Sequence, residues 1–160
     1  MATQNKPTLL WLEDSNKTVS NQNIFSKRYF SVEIVSQLHD FRSILEDESD
    51  TVKAIVLDIM VYRVYDLSDL GINGVDTDDG YEAGWAVLEH YLRTPESQFK
   101  QIPVLVLSVR AKRRKDQDLL NKLNQEKGVG SIQFIEKRGH IDWYKEFEDW
   151  IRKASRGRVQ

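Results

Sequence analysis

The chain has 160 residues, of which 40% are hydrophobic and 30% are charged, a composition typical of a soluble globular domain. Its formal net charge of −2 excludes a general attraction to nucleic acid or to anionic membranes, and the lack of cysteine excludes disulfides and thiol chemistry. No apolar run approaches the roughly 18 residues that span a bilayer, and the polar start lacks a signal-peptide core. We therefore expect a cytoplasmic protein.

Short apolar segments typical of strands alternate along the chain with longer segments typical of helices. The five predicted strands cover residues 8–13, 32–36, 53–58, 104–108 and 131–136. The five predicted helices cover about residues 17–29, 39–47, 81–93, 111–127 and 141–154. This alternation predicts right-handed crossovers and a parallel sheet covered by helices on both faces.

Polar side chains stand at the ends of four of the predicted strands. Glu13 and Asp14 follow the first strand, Asp58 ends the third, Ser108 ends the fourth and Lys137 follows the fifth. Because the carboxyl ends of parallel strands lie at one edge of a sheet, we expect these groups to lie close together. Three acids, a hydroxyl and an ammonium group suit a divalent cation and a phosphoryl group.

The segments WLEDS, LDIM, LSVRAK and FIEKRG, in this order and at these strand ends, resemble a response-regulator receiver domain. The resemblance covers about residues 8–153. It implies a three-layer (βα)5 flavodoxin-like α/β fold whose five-stranded parallel sheet has the strand order 2-1-3-4-5. We expect a single receiver domain over residues 1–160 with a frayed C-terminal tail, standing alone because five βα units account for nearly the whole chain.

The resemblance also implies which residues carry the phosphorylation chemistry. Asp58 matches the aspartate that accepts a phosphoryl group. Glu13, Asp14 and Asp58, together with the backbone carbonyl of Met60, would hold Mg²⁺, with Mn²⁺ as the alternative cofactor. These assignments agree with the preference of Mg²⁺ for a few carboxylates plus phosphate oxygens.

The last two strands would supply the groups that bind the phosphoryl oxygens. By the same resemblance, Ser108 and Lys137 would bind those oxygens, and Phe134 would be the aromatic switch residue, although a half-buried aromatic would look the same in the sequence. Val109 and Arg110 follow the hydroxyl, where they would tune access to the acceptor. Val109 is bulkier than the small residue usual in the family.

Two further features depart from the family pattern. Arg138 stands where proline is usual, so we do not expect the usual cis peptide bond there. Residues 61–79 form an insertion between the acceptor strand and Gly80, which matches the family glycine before helix three. Long loops in compact domains are often functional, so the insertion is either a lid or partner-binding loop, or a solvated loop tolerated because loop length costs little.

A basic run lies at residues 110 and 112–115, at the start of predicted helix four. It would meet an acidic partner or form a solvated face. Nucleic-acid binding is not expected, because interleaved aromatic residues and a DNA-binding element are missing from the sequence pattern.

Three functions fit these patterns, and they differ in the fate of Asp58. The leading interpretation is a receiver phosphorylated by a histidine kinase or a histidine phosphotransfer protein, signalling by contact with an unknown downstream protein. The alternative is a receiver-like interaction module that is seldom or never phosphorylated. The third is a phosphatase or phosphotransferase that turns over an external substrate. Enzymes of the haloacid-dehalogenase type also use an aspartate nucleophile, but they need a second acid where Met60 stands. We therefore expect no enzymatic activity beyond the protein's own phosphorylation and dephosphorylation.

Overall fold

The computed structural model describes residues 6–15, 19–137 and 142–157, in which strands and helices alternate. The strands are β1 (Thr8–Leu12), β2 (Ser31–Val35), β3 (Val52–Asp58), β4 (Val104–Ser108) and β5 (Ile132–Glu136). The helices are α1 (Ser20–Ser26), α2 (Leu38–Asp47), α3 (Ala83–Val87), α4 (Arg114–Asn124) and α5 (Asp142–Ser155). A π-helical turn, Leu88–Leu92, continues α3. Within the described ranges, no helix has the length and apolarity needed to cross a membrane.

The five strands form one sheet in the order β2-β1-β3-β4-β5, and every neighbouring pair is parallel. This confirms the predicted flavodoxin-like fold. The three central strands are buried almost throughout, as strands covered on both faces should be. The register pairs Asp58 of β3 with Leu107 of β4, and Ser108 with Glu136 of β5. The polar ends of these strands therefore lie at the same edge of the sheet.

Alternating side chains of β1 enter two apolar layers, one on each face of the sheet. Leu10 and Leu12 pack in the layer that contains residues of α2, α3 and α4. Leu9 and Trp11 pack in the layer that contains residues of α1 and α5, where Trp11 contacts Phe147 with ring centroids 5.4 Å apart. Since each buried side chain of this size contributes roughly 1.5–3 kcal/mol, both layers stabilise the sheet edge that carries the polar groups.

Helix α4 is shorter at both ends than the sequence predicted. It begins at Arg114 because Arg113 is extended and acts as N-cap, and its backbone N–H donates to Asp116 Oδ2 at 2.9 Å. It ends at Asn124, whose side chain instead bonds the backbone N–H and carbonyl of Ile132 in β5. Most of the basic run therefore lies in the loop before the helix.

The other helix boundaries also differ from the prediction. Helix α3 begins at Ala83, since the preceding residues form a turn in which the Tyr81 N–H donates to the Asp78 carbonyl. Helix α1 is described from Ser20 to Ser26, and residues 16–18 before it are outside the described part. Helix α5 continues to Ser155, and the predicted frayed tail falls partly on residues 158–160, which are outside it too.

The segment 61–79 is folded against the apolar layer of α2 and α3 instead of being solvated throughout. Its buried side chains include Val61, Val64, Leu67 and Leu70. Its two ends meet where the Val61 N–H donates to the Gly80 carbonyl at 3.0 Å. A Cβ atom on Gly80 would lie 2.4 Å from the Val61 carbonyl oxygen, and the φ angle of +93° also favours glycine. The segment is therefore an ordered extension of the core.

Candidate functional site

Three carboxylates converge at the carboxyl edge of the sheet. Glu13 and Asp14 follow β1, and Asp58 is the last residue of β3, its neighbour in the sheet. One oxygen from each of the three lies within 4.8 Å of the others. Glu13 and Asp58 are buried, at 2% and 5% exposure, whereas Asp14 is exposed. The cluster is therefore open to solvent on the side of Asp14.

Lys137, immediately after β5, places its ammonium group against two of these acids. Its Nζ atom lies 3.0 Å from Asp58 Oδ2 and 3.5 Å from Glu13 Oε2. Burial alone lowers the pKa of Lys137, but the negative charges of Asp58 and Glu13 outweigh it and raise the pKa above its ordinary value. The lysine therefore stays charged beside the acids. Arg138, the departure from the family proline, lies outside the described residues.

The pKa of Glu13 is strongly raised. Burial and the neighbouring Asp58 carboxylate raise this pKa to about 9, although Lys137 partly opposes the rise. Its Oε1 atom accepts the Ser15 N–H at 3.1 Å. Its buried Oε2 atom lies 3.5 Å from the Lys137 ammonium but accepts no hydrogen bond within the described part of the chain. Crowded acids with an unsatisfied oxygen fit a divalent cation, which would relieve the repulsion.

The insertion contacts the cluster directly. The backbone N–H of Tyr62 donates to Asp14 Oδ2 at 2.8 Å, so the insertion fixes the orientation of a candidate metal ligand. This contact was not predicted, and no side-chain pattern could have indicated it because the donor is a backbone group. Met60 lies half-buried two residues after Asp58, and the metal-binding role of its carbonyl stays a prediction.

A cleft of about 760 Å³ adjoins Asp14 on the side of the insertion. Its walls are formed by the ends of β1 and β2, the start of α2 and the first residues of the insertion. They include Asp14, Ser15, Ser36, Gln37, Tyr62 and Tyr65. The exposed carboxylate of the cluster can therefore be approached from this cleft.

The hydroxyl of Ser108 lies at the buried end of β4, in the strand next to that of Asp58. Its Oγ atom accepts the backbone N–H of Arg110 at 3.0 Å, and its carbonyl accepts the N–H of Lys137. Val109 is 53% exposed, and its effect on access to the acceptor stays a prediction. The loop after β4 therefore turns back onto the hydroxyl that the sequence predicts as a phosphoryl ligand.

Phe134 of β5 is half-buried between an aromatic ring and a cation. Its ring stacks on that of Trp85 in α3, with centroids 6.1 Å apart and planes at 7°. The Nζ atom of Lys112, in the loop before α4, lies 5.7 Å from the centroid of the Phe134 ring. Phe134 therefore contacts the same loop as Ser108, while its role as a switch stays a prediction.

Part of the basic run is neutralised inside the molecule. Arg110 and Arg113 donate to Glu82 Oε2 and Oε1 at 2.8 Å and 2.6 Å, and the Lys115 ammonium lies 3.8 Å from Glu82 Oε1. Arg113 also pairs with the buried carboxylate of Asp116. This cluster was not predicted, because Glu82 is 28 and 31 residues from its two arginine partners. The run is therefore not a freely solvated face.

No family model and no curated protein sequence matches the chain. Solved structures match it along nearly the whole length. The signal receiver domain of a protein assigned as a Luxo repressor, from Vibrio parahaemolyticus, has a TM-score of 0.53 at 16% identity, covering 94% of this chain and 93% of that one. A response regulator receiver domain protein from Clostridium thermocellum has a TM-score of 0.50 at 12% identity, covering 94% and 95%.

A third match is the signal receiver domain of a modulated diguanylate cyclase from Desulfovibrio desulfuricans G20. Its TM-score is 0.50 at 12% identity, with coverage of 96% of this chain and 99% of that one. At such low identities the matches bear on the fold alone. The strand order, the parallel sheet and these matches agree, and the chain has the fold of a response-regulator receiver domain.

Proposed function

We propose that the protein is a receiver that accepts a phosphoryl group on Asp58 in a Mg²⁺-dependent reaction and signals by protein contact. The observation that carries this proposal is the convergence of Glu13, Asp14 and Asp58 beside the ammonium group of Lys137. A phosphohistidine on a histidine kinase or a phosphotransfer protein is the proposed donor. The proposed chemistry is confined to phosphorylation and dephosphorylation of the protein itself.

The chemistry follows from the charges of the site. A carboxylate oxygen of Asp58 forms a bond to phosphorus while the bond from phosphorus to the donor's histidine nitrogen breaks and its electron pair stays on nitrogen. Mg²⁺, when bound by Glu13, Asp14 and Asp58, would supply positive charge to the phosphoryl oxygens. Lys137, which follows β5, adds a second positive charge 3.0 Å from Asp58. The hydroxyl of Ser108 can donate its proton to a phosphoryl oxygen.

Phosphorylation would change the surface as well as the site. A phosphoryl group adds negative charge and three acceptor oxygens beside Ser108 and Lys137. A hydroxyl that moves toward those oxygens takes with it the loop between β4 and α4, which also contacts Phe134 through Lys112. The surface formed by β4, α4 and β5 is therefore the proposed place where a downstream protein distinguishes the two states.

The variant Asp58→Asn tests the acceptor assignment. We expect it to remain folded and to lose phosphoryl uptake from acetyl phosphate in the presence of Mg²⁺, because an amide oxygen is a poor nucleophile. Uptake is measured by intact-protein mass spectrometry and phosphate-affinity gel. Asp47→Asn, an exposed acid at the end of α2, is the matched control and should keep full uptake. Full uptake by the Asp58 variant would refute the assignment, and no uptake by the wild-type protein would favour the unphosphorylated interaction module.

The variant Asp14→Ala tests the metal site separately. We expect the affinity for Mg²⁺ to fall by about tenfold or more, since a carboxylate is removed from a hard-cation site. Isothermal titration calorimetry with Mg²⁺ alone measures this without a phosphoryl donor. The Asp47→Asn variant again serves as control, and an unchanged affinity in Asp14→Ala would place the metal elsewhere.

A further inference from the structure

The carboxylate of Glu82 joins the start of α3 to the loop that carries Ser108. The backbone N–H of Glu82 donates to the Thr77 carbonyl at 2.9 Å, which fixes the residue to the end of the insertion. Its two carboxylate oxygens accept one hydrogen bond each from Arg110 and Arg113, at 2.8 Å and 2.6 Å. We call the group formed by Glu82, Arg110 and Arg113 the Glu82 latch.

The Glu82–Arg110 pair of the latch is partly shielded from water, whereas the side chain of Arg113 is 38% exposed. The side chain of Glu82 is 19% exposed and that of Arg110 is 27% exposed, so the pair is partly removed from solvent screening. Both hydrogen bonds have a charged donor and a charged acceptor, which makes them stronger than neutral bonds. Arg113 is held from its other side by Asp116. The loop is thus fixed near its start and at its end.

A short chain of bonds leads from the latch to the predicted phosphoryl ligand. The guanidinium group of Arg110 is bound by Glu82, and the backbone N–H of the same residue donates to Ser108 Oγ at 3.0 Å. A displacement of Ser108 toward Asp58 therefore pulls on Arg110. In the same loop, Lys112 would also shift relative to the Phe134 ring.

We propose that Glu82 is a positioning residue that, through Arg110, holds the Ser108 loop in the place it has in the unphosphorylated protein. The effect on signalling rests on the proposed function, because it is a phosphoryl group on Asp58 that draws Ser108 away. Movement of the hydroxyl then has to stretch or open the latch. Loss of the latch lowers that cost and favours the phosphorylated arrangement.

The hold on the loop can be measured without any phosphoryl group. Glu82→Gln keeps the size of the side chain and removes its charge, and Arg110→Met removes the other partner. We expect amide exchange at position 110, followed by NMR, to become at least about fivefold faster in each variant. The double variant should show little further increase, because both changes break the same pair. Glu46→Gln, which removes the partner of Arg42 on α2, should leave exchange at position 110 unchanged.

The effect on the switch is measured by titration with beryllofluoride in saturating Mg²⁺. We expect Glu82→Gln to bind beryllofluoride about fivefold more tightly than the wild-type protein, with unchanged affinity for Mg²⁺ alone. Unchanged amide exchange at position 110, or weaker beryllofluoride binding, would overturn the proposal. A third outcome is faster exchange in the variants with no beryllofluoride binding by the wild-type protein. It would confirm that the latch restrains the loop, and it would refute both the proposed function and the latch's role in it.

Discussion

At the scale of single residues, Glu13 shows that ionisation of a buried acid in the site is unfavourable. It is a buried acid beside Asp58, and Lys137 compensates only part of the resulting cost. The unfolded chain hydrates a glutamate freely, whereas the folded protein without metal holds this one with a pKa of about 9. Ionised Glu13 therefore opposes folding, and a divalent cation at the site would remove part of that opposition.

The variant Glu13→Gln should for this reason stabilise the protein in the absence of metal. Since the folded pKa is raised from 4.5 to about 9, the folded state retains a proton that the unfolded state loses over that interval. The stability of the wild-type protein then falls as the pH rises from 4.5 to about 9. The variant does not lose stability for this reason, because its amide side chain does not titrate. We expect the variant to be more stable by about 1 kcal/mol or more near pH 8 and nearly equal near pH 5.

Urea unfolding in EDTA at the two pH values measures this difference in the free energy of unfolding. Asp47→Asn serves as a control for the loss of one negative charge at an exposed position. A variant no more stable than the wild-type protein at the higher pH would show that ionised Glu13 does not destabilise the fold. Addition of Mg²⁺ should stabilise the wild-type protein more than the variant, which has lost a candidate ligand.

At the scale of elements, the insertion at residues 61–79 packs as part of the apolar core. Leu67 is fully buried, and its carbonyl accepts the N–H groups of Leu70 and Ile72 within the 3₁₀ turn Ser68–Leu70 and just after it. The guanidinium of Arg42 in α2 also donates to the Asp69 carbonyl at 3.3 Å. The segment is thus held by apolar burial and by hydrogen bonds from a neighbouring helix.

The variant Leu67→Ala should therefore destabilise the whole protein by about 2–4 kcal/mol, the cost of removing a fully buried leucine side chain. Guanidinium unfolding followed by circular dichroism measures the change in the free energy of unfolding. Tyr65→Ala, at a position 58% exposed in the same segment, is the control and should change it by less than about 0.5 kcal/mol. A change no larger for Leu67 than for Tyr65 would mean that the insertion does not stabilise the core.

The sequence predicted the elements well where apolar runs end abruptly, as at Asp58 and Ser108. It placed the start of α4 too early, because the basic run has no pattern that separates a loop from a helix, and the Asp116 bond to Arg113 decides the boundary. The sequence also predicted that the acids at the strand ends meet Lys137, because parallel strands end at one edge of the sheet. It could not predict contacts made by backbone groups of the insertion. The Tyr62 N–H meets Asp14 across 48 residues of chain, and only the folded sheet brings them together.

At the scale of the whole molecule, Arg93 lies at the amino edge of the sheet, opposite the site, and links the segments that meet there. This side chain is buried, which lowers its pKa to about 10, although the charge of Glu126 offsets part of the effect. Its guanidinium group donates to four backbone carbonyls, those of Leu92, Phe99, Ile102 and Gly130. It therefore joins the end of the π-helical turn to the segments that lead into β4 and β5.

The variant Arg93→Met should lower the free energy of unfolding by about 3 kcal/mol, because it leaves buried carbonyl oxygens without donors. Thermal and urea unfolding measure the loss. Arg42→Met, which removes an exposed pair with Glu46, should cost less than about 1 kcal/mol. If the two variants lose equal stability, the buried guanidinium of Arg93 stabilises the fold no more than the exposed one of Arg42 does.

The Arg93 contacts also constrain how the two strands bearing Ser108 and Lys137 can rearrange. The segments before their amino ends are hydrogen-bonded to one side chain, because Arg93 donates to the carbonyls of both Ile102 and Gly130. On the proposed function, a phosphoryl group on Asp58 should therefore displace β4 and β5 least at their amino ends, which Arg93 holds, and most at their carboxyl ends. We therefore expect the downstream protein of the proposed function to bind at the carboxyl edge of the sheet and not at the edge that carries Arg93.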